Sequence, residues 1–575
     1  MNIGTAIRSA GSVLLKRPAS VLPVYLLVLG ITAITRVPVL VGIAVALGLL
    51  IADGRLQALF EAIEAVDFEA LEEPGAEGEL DTVGIPGELE TAVLDILSIE
   101  IVAIVGLAAV GAVVVGIVSN GLSNAAAING IYGCLYDGDG VADAVVGVGR
   151  DWKAFVGITL VQVAVVLVGV VPIVIGVGLF ALSPVAGVAA TLIGGLLSAA
   201  IILIGLLALA FAGQSIVVEG TTLGGAIRRS VGFPVREPLA FLAYVLVALG
   251  VFGALSVLGA VFAALGVSQV TGIISPLFAI PFLDAFKTAL YADRPFVSPS
   301  TRTRMPAGVV TDGGSDRSEP TDPDVEPVDS DADTGGTDTD ADAIDTDTDS
   351  TEAAGDVDDQ EADRIAVDPA PDTETPAYRQ QFVAAFRDGI RATGEFTRTQ
   401  PQSILAATVL FVAAAAAGWL LTAGFAVDLP VEEGVGDVFG AIPVGAFVMI
   451  AANNWLVSAT AIYGGVALGV PTAVDMLLNG FIIGAVAGVV EPIVFLALVA
   501  PHGIIEVPAI LIAGGLGLHV GWTVFGVFRG THSSTELAGV LRLAYRVLLG
   551  LAIILIIAAF VEAFLTPPIA EVVLS

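Results

Sequence analysis

The segment LVAPHGIIEVPAILIAGGLGLHVG, Leu498 to Gly521, carries two of the chain's 3 histidines and Glu506 among residues otherwise suited to hydrocarbon. An ionisable side chain at membrane depth costs about 2.5–3.5 kcal/mol to insert, so each needs a partner or a purpose. His502 and Glu506 are four positions apart and share one face if the segment is helical. Two metal ligands could use that spacing. His519 cannot join them: it lies 13 residues beyond Glu506. On a straight helix that is about 20 Å along the axis and on the other side. Asp475 or Glu491 could supply a third ligand from a neighbouring helix, although no spacing demands it. His-Glu-x-x-His and Gly-x-Ser-x-Gly are both absent, so the sequence offers no catalytic residue set and no enzyme is expected.

A structural role for the same residues competes with the chemical one. Pro501 is placed to end one span or open the next, and proline suits a first helical turn. Glu506 would then sit near a helix start, where unpaired N–H groups and the positive end of the dipole favour a carboxylate. His502 at that boundary, with Gly503 and Pro508 shaping the turn, would bond Glu506 or amides of a neighbouring helix. Those amides are Asn453 and Asn454 in AANNWLVSATAIYGGVALG, and Asn479 in VDMLLNGFIIG. An unmet amide in a bilayer costs several kcal/mol, so all of them demand partners. With Asp475, Gly480 and Glu491 they make up the candidate polar cluster. The expectation is a polar clasp that fixes a re-entrant turn or helix start; the alternative is a solute, ion or proton path. Gly465 with Gly469, and Gly480 with Gly484, are spaced to let helices approach closely.

The elements that carry these residues are membrane spans. Of 575 residues 56% are hydrophobic, and mean hydropathy is +0.92, which sets the chain apart from soluble globular proteins. In the first half apolar runs cover about 20–52, 98–124, 154–181, 184–212, 238–266 and 269–290. In the second they cover about 402–424, 438–469, 472–499, 504–528 and 541–565. Each is long enough to cross about 30 Å of hydrocarbon as a helix. The first is overlong and broken by Arg36-Val37-Pro38, so its tail is read as an interfacial or re-entrant piece rather than a second crossing. Eleven crossings with a cytoplasmic N-terminus place all of the 23 Lys and Arg except Arg36 and Arg55 on the cytoplasmic side. A twelfth would export Arg150 and Lys153 and invert everything after them.

Between the halves, at about 296–378, lies a hydrophilic segment rich in acids (GGTDTDADAIDTDTDSTEAAGDVDDQEAD) that cannot bury enough apolar surface to fold. Its DSDADTG stretch, Asp329 to Gly335, resembles a calcium loop only faintly, because the glycine comes one place late. A second acidic stretch, LFEAIEAVDFEALEEPGAEGELD, belongs to an external loop near 55–96. The formal charge of -35 argues against nucleic-acid binding, and scarce lysine with surplus acid suits a halophilic archaeon. The single cysteine, Cys134, excludes an internal disulfide and a Cys-based zinc site. No cofactor is expected. A basic stretch precedes a span three times at one interval: Arg8 before Pro18, Arg228 before Pro238, and Arg391 before Pro401. This reads as an entry device at the headgroups.

Asn453-Asn454, Asn479-Gly480 with Gly484, and PHGIIEVPAILIAGGLGLHVG together resemble the stage II sporulation protein M family over about 379–575. The resemblance implies a membrane component of a larger envelope complex, as the bacterial sporulation member works beside cell-wall hydrolases without being the hydrolase. The sequence thus points to an all-α integral membrane protein of the cell membrane. It has two transmembrane helical bundles of about 6 and 5 crossings, 1–295 and 379–575, joined by a disordered cytoplasmic acidic linker at 296–378. Its expected partners are the lipid bilayer and other envelope or membrane proteins. The expected role is a non-enzymatic scaffold, with a transporter or channel through the C-terminal bundle as the alternative.

Overall fold

The computed structural model describes residues 3–64, 87–136, 138–292, 378–424 and 443–575. The acidic linker, the calcium-like loop at Asp329 and the external acidic stretch beyond Glu64 lie outside the described residues. Among the described residues there is no strand, and 11 helical segments are long and apolar enough to cross a membrane. Six fall in the first half, from Pro18–Ala52 to Gln269–Ala292, and five in the second, from Pro401–Thr422 to Ser534–Leu574. Large apolar side chains face outward along them. Leu196, Leu107 and Leu239 are each about three-quarters exposed, as the hydrocarbon face of a span requires. The protein is a multi-pass membrane protein.

Each basic stretch forms an amphipathic helix before its span. Ile3–Lys16 leads into Pro18–Ala33, Leu223–Arg236 into Pro238–Ala264, and Tyr378–Thr399 into Pro401–Thr422. In all three the proline opens the spanning helix, where its missing N–H costs no hydrogen bond.

The tail of the first run is not re-entrant. After a turn at Ile34–Thr35 the chain resumes as Arg36–Ala52 and continues in line. It runs antiparallel to Ile99–Leu135: Gly130 meets Val24, Gly116 meets Thr35, Gly111 meets Pro38 and Gly42 meets Ala108. Pro38 sits in the first turn of the second piece, so the break disturbs direction little.

Both halves, 3–292 and 382–575, group as one compact unit. Pro18–Ala33 is one of the elements that join them, packing on Val444–Tyr463, and it buries Val21, Val24, Tyr25, Leu26 and Leu27. Its Gly30 lies against the main chain of Tyr463, close enough that a Cβ there would overlap the Tyr463 carbonyl. Tyr463 is fully buried, and its hydroxyl donates to the Leu541 carbonyl at 3.1 Å. Because that carbonyl also lies within the helix Ser534–Phe560, Tyr463→Phe should remove one hydrogen bond and strand no acceptor. The expected loss is about 1 kcal/mol, read as a lower unfolding midpoint in detergent. Near one membrane end, Arg542 pairs with Asp139 across the halves.

Candidate functional site

The opening segment lies in one uninterrupted helix, Pro492–Phe528, of 37 residues, with Pro501 and Pro508 both inside it. The expected boundary at Pro501 is therefore replaced by one at Val490-Glu491, where both residues are extended (ψ 144 and 134). The residue before a proline is pushed towards extended backbone, and Glu491 precedes Pro492, so the chain turns there. Pro501 and Pro508 are tolerated further in, although each removes the amide that the Ala497 and Ile504 carbonyls would accept from. Glu506 consequently stands fourteen residues past Pro492 and caps no helix. The helix start expected at Pro501 is thus corrected to Pro492.

What the helix does achieve is to hold His502 and Glu506 on one face. That face meets Glu562, carried by the π-helical turn Val561–Leu565 that follows Ser534–Phe560. One ligand atom from each of the three lies within 4.8 Å of the others. A π turn shifts the register of an α-helix and often marks a functional position. Here it carries the carboxylate that completes the cluster. Around the three lies a cavity of about 270 Å³, also lined by Gln269, Met449, Ile450, Asn453 and Asn454. Gln269 belongs to the first half, so both halves build its wall.

Few protein groups satisfy these side chains. Asn453 Nδ2 donates to Asn454 Oδ1 at 3.4 Å. His502 Nδ1 is buried with no hydrogen-bond partner among the described residues. Glu506 and Glu562 make no hydrogen bond or ion pair with the described residues. The contrast with the first half is sharp. There Asp284 accepts from the Tyr25 hydroxyl at 2.9 Å and pairs with Lys287 at 3.6 Å, as the sequence spacing anticipates. Buried Glu219 likewise pairs with Arg229 at 3.2 Å and bonds Tyr291.

The other members of the candidate cluster lie elsewhere. Asn479 donates to the Asp475 carbonyl at 2.8 Å within the helix Val470–Val489, and neither residue lines the cavity. Glu491 precedes the helix as its cap residue without a side-chain cap bond. Gly480 packs on the Phe411 main chain, whereas Gly503 has only Val499 nearby. Asp475 and Glu491 therefore do not join His502 and Glu506; Glu562 does. Glu562 and Gln269 carry little signal in the sequence. The only available signal was an acid in AAFVEAFL and a lone amide in VSQVTG.

The cavity lies towards one end of the spans. Gln269 opens its helix just after the turn that closes Pro238–Ala264, Glu562 follows the end of Ser534–Phe560, and Asn453 and Asn454 lie at the middle of Val444–Tyr463. Arg236, just before Pro238–Ala264, and Arg529, just after Pro492–Phe528, mark the opposite end of those spans.

A polytopic α-helical bundle with a His–Glu–Glu pocket between its spans is the class of protein this chain defines. Residues 407–567 match the stage II sporulation protein M family. Over 138 residues the chain is 31% identical to the uncharacterized protein MJ0793 of Methanocaldococcus jannaschii, an alignment covering 22% of this chain and 75% of that protein. The chain belongs to the stage II sporulation protein M family. No solved structure matches it.

Proposed function

We propose that this protein is a carrier or channel for a small ion or polar solute, with its binding pocket in the C-terminal bundle and no catalytic step. One observation carries the reading: three ionisable groups face one cavity between membrane spans, and no hydrogen bond or ion pair among the described residues satisfies them. Intramembrane ionisable residues of this kind point to a pathway by default, because an idle one is costly. In the orientation that keeps the basic helix ends cytoplasmic, the pocket lies in the outer half of the cell membrane. A scaffold of an envelope complex would need none of these features.

Reconstituted vesicles provide the test. Protein inserted in liposomes should move protons, monovalent or divalent cations down an imposed gradient at least tenfold faster than empty liposomes do. Glu506→Gln should reduce that flux to the background. Folded protein that moves none of them, yet captures a stable set of envelope proteins from its native membrane, would establish the scaffold instead.

A further inference from the structure

The donor set in the pocket is more specific than a generic polar lining. We propose that His502, Glu506 and Glu562 together bind one divalent transition-metal cation of the zinc or manganese type. The proposal builds on the pocket being a ligand site, and gives that ligand a chemical class.

Three features of the structure support it. The geometry comes first. Three ligands from three side chains, two of them one helical turn apart, lie within 4.8 Å of one another. Ligand atoms about 2.0–2.2 Å from a tetrahedral ion sit roughly 3.4 Å apart. Closing the difference needs only small rotations of the flexible Glu506 and Glu562 side chains. The second feature is that His502 Nδ1, buried and unpartnered, leaves the ring short of a hydrogen bond that burial ordinarily enforces. The third is the surrounding cavity, where the carbonyl oxygens of Asn453, Asn454 and Gln269 or a water can fill the remaining coordination positions.

Charge and ligand type narrow the cation. Two carboxylates and a neutral imidazole balance a dication to zero, the arrangement a membrane interior tolerates best. An imidazole nitrogen among the ligands favours zinc or iron(II) over calcium and magnesium, which take oxygen throughout, and the two carboxylates also suit manganese. The sole thiol, Cys134, is buried in the other half and cannot compete for this site. Because Gln269 comes from the first half, the bound ion would also bear on how the halves hold together.

The full chain, purified in detergent and stripped with a chelator, is titrated with zinc chloride and separately with manganese chloride. One tight equivalent is expected, and X-ray absorption should show a nitrogen and oxygen shell with one imidazole and no sulfur. Glu506→Gln and Glu562→Gln should each weaken binding at least a hundredfold, and binding should fall on acidification as protons compete for the ligands. Gel filtration and an unfolding midpoint verify that both variants are folded, and His502→Gln serves as a third variant where either is not. Absence of a tight equivalent in folded protein overturns the site. Equal binding by parent and variants overturns it too, since the ion would then sit elsewhere. The two proposals separate cleanly: tight metal binding without flux removes the pathway alone, and flux without metal binding removes the metal site alone.

Discussion

Replacing Gly484 with isoleucine should leave no monodisperse, folded protein after extraction in mild detergent. The helix Val470–Val489 packs along Pro401–Thr422 with almost no space between the two main chains. A Cβ at Gly484 would overlap the Ala415 carbonyl, and one at Gly480 the Phe411 carbonyl; from the facing helix, Gly418 abuts the main chain at Phe481 in the same way. The obstructing atoms are backbone, so no side chain can rotate aside. Thr422 completes the contact by donating to the Ala485 carbonyl at 2.8 Å. Within a bilayer apolar side chains gain nothing by leaving lipid, and helix pairs depend on such close approach. Forcing the helices apart should cost more than about 4 kcal/mol, a large share of the roughly 5–15 kcal/mol that holds a typical fold. Gly503→Ala is the comparison. The added methyl meets only the Val499 side chain at 3.5 Å, so extraction and unfolding midpoint should match the parent. A stable Gly484→Ile protein would show that the two helices are not in fact in backbone contact.

How far the sequence anticipates this structure depends on the range of the interaction. Span number follows from hydropathy and the placement of arginine, both local. The entry helices before Pro18, Pro238 and Pro401 are equally local, since an amphipathic decade and a proline suffice to specify them. Close packing at Gly480 and Gly484 is signalled by spacing alone, although the identity of the facing helix is not. The boundary at Glu491-Pro492 is harder, because Pro501 and Pro508 present the same residue type. What separates them is that the helix continues through the latter two, supported by neighbours that no local window contains. The site is harder still. His502 and Glu506 are paired by helical period, but Glu562 reaches them only through the rotation of another helix and the register shift of a π turn. Gln269 arrives from the other half, by a packing of its short helix Gln269–Ile274 against Val444–Tyr463 that leaves no pattern in either segment. Polar residues that do find partners, such as Asn479, read in sequence just like those that do not.

The second large effect concerns the sign of a stability change at Glu506. A clasp holds its partner, so truncating it is destabilising, by about 3–5 kcal/mol where a buried charge loses its counter-ion. A ligand site behaves in the opposite way. Glu506 and Glu562 have no hydrogen bond or ion pair among the described residues, and their ligand atoms lie within 4.8 Å. At an effective dielectric of about 20, two ionised carboxylates at that distance repel by roughly 3 kcal/mol, and sharing of a proton or cation reduces the strain. Glu506→Gln preserves the shape and removes the repulsion. In metal-free detergent solution its unfolding midpoint should therefore equal or exceed that of the parent, a gain on the order of 1 kcal/mol being expected. The order then reverses when ligand is added. At a hundred times its dissociation constant a cation that binds only the folded state stabilises the parent by about 2.7 kcal/mol, whereas the variant should gain almost nothing. Thermal unfolding of both proteins, with chelator and then with zinc or manganese, reads the two effects in one experiment. A fall in the variant's midpoint without metal would return Glu506 to an architectural role; a crossing of the two curves on adding the ion would place it among the ligands, where stability is given up in the empty protein so that the occupied one can form.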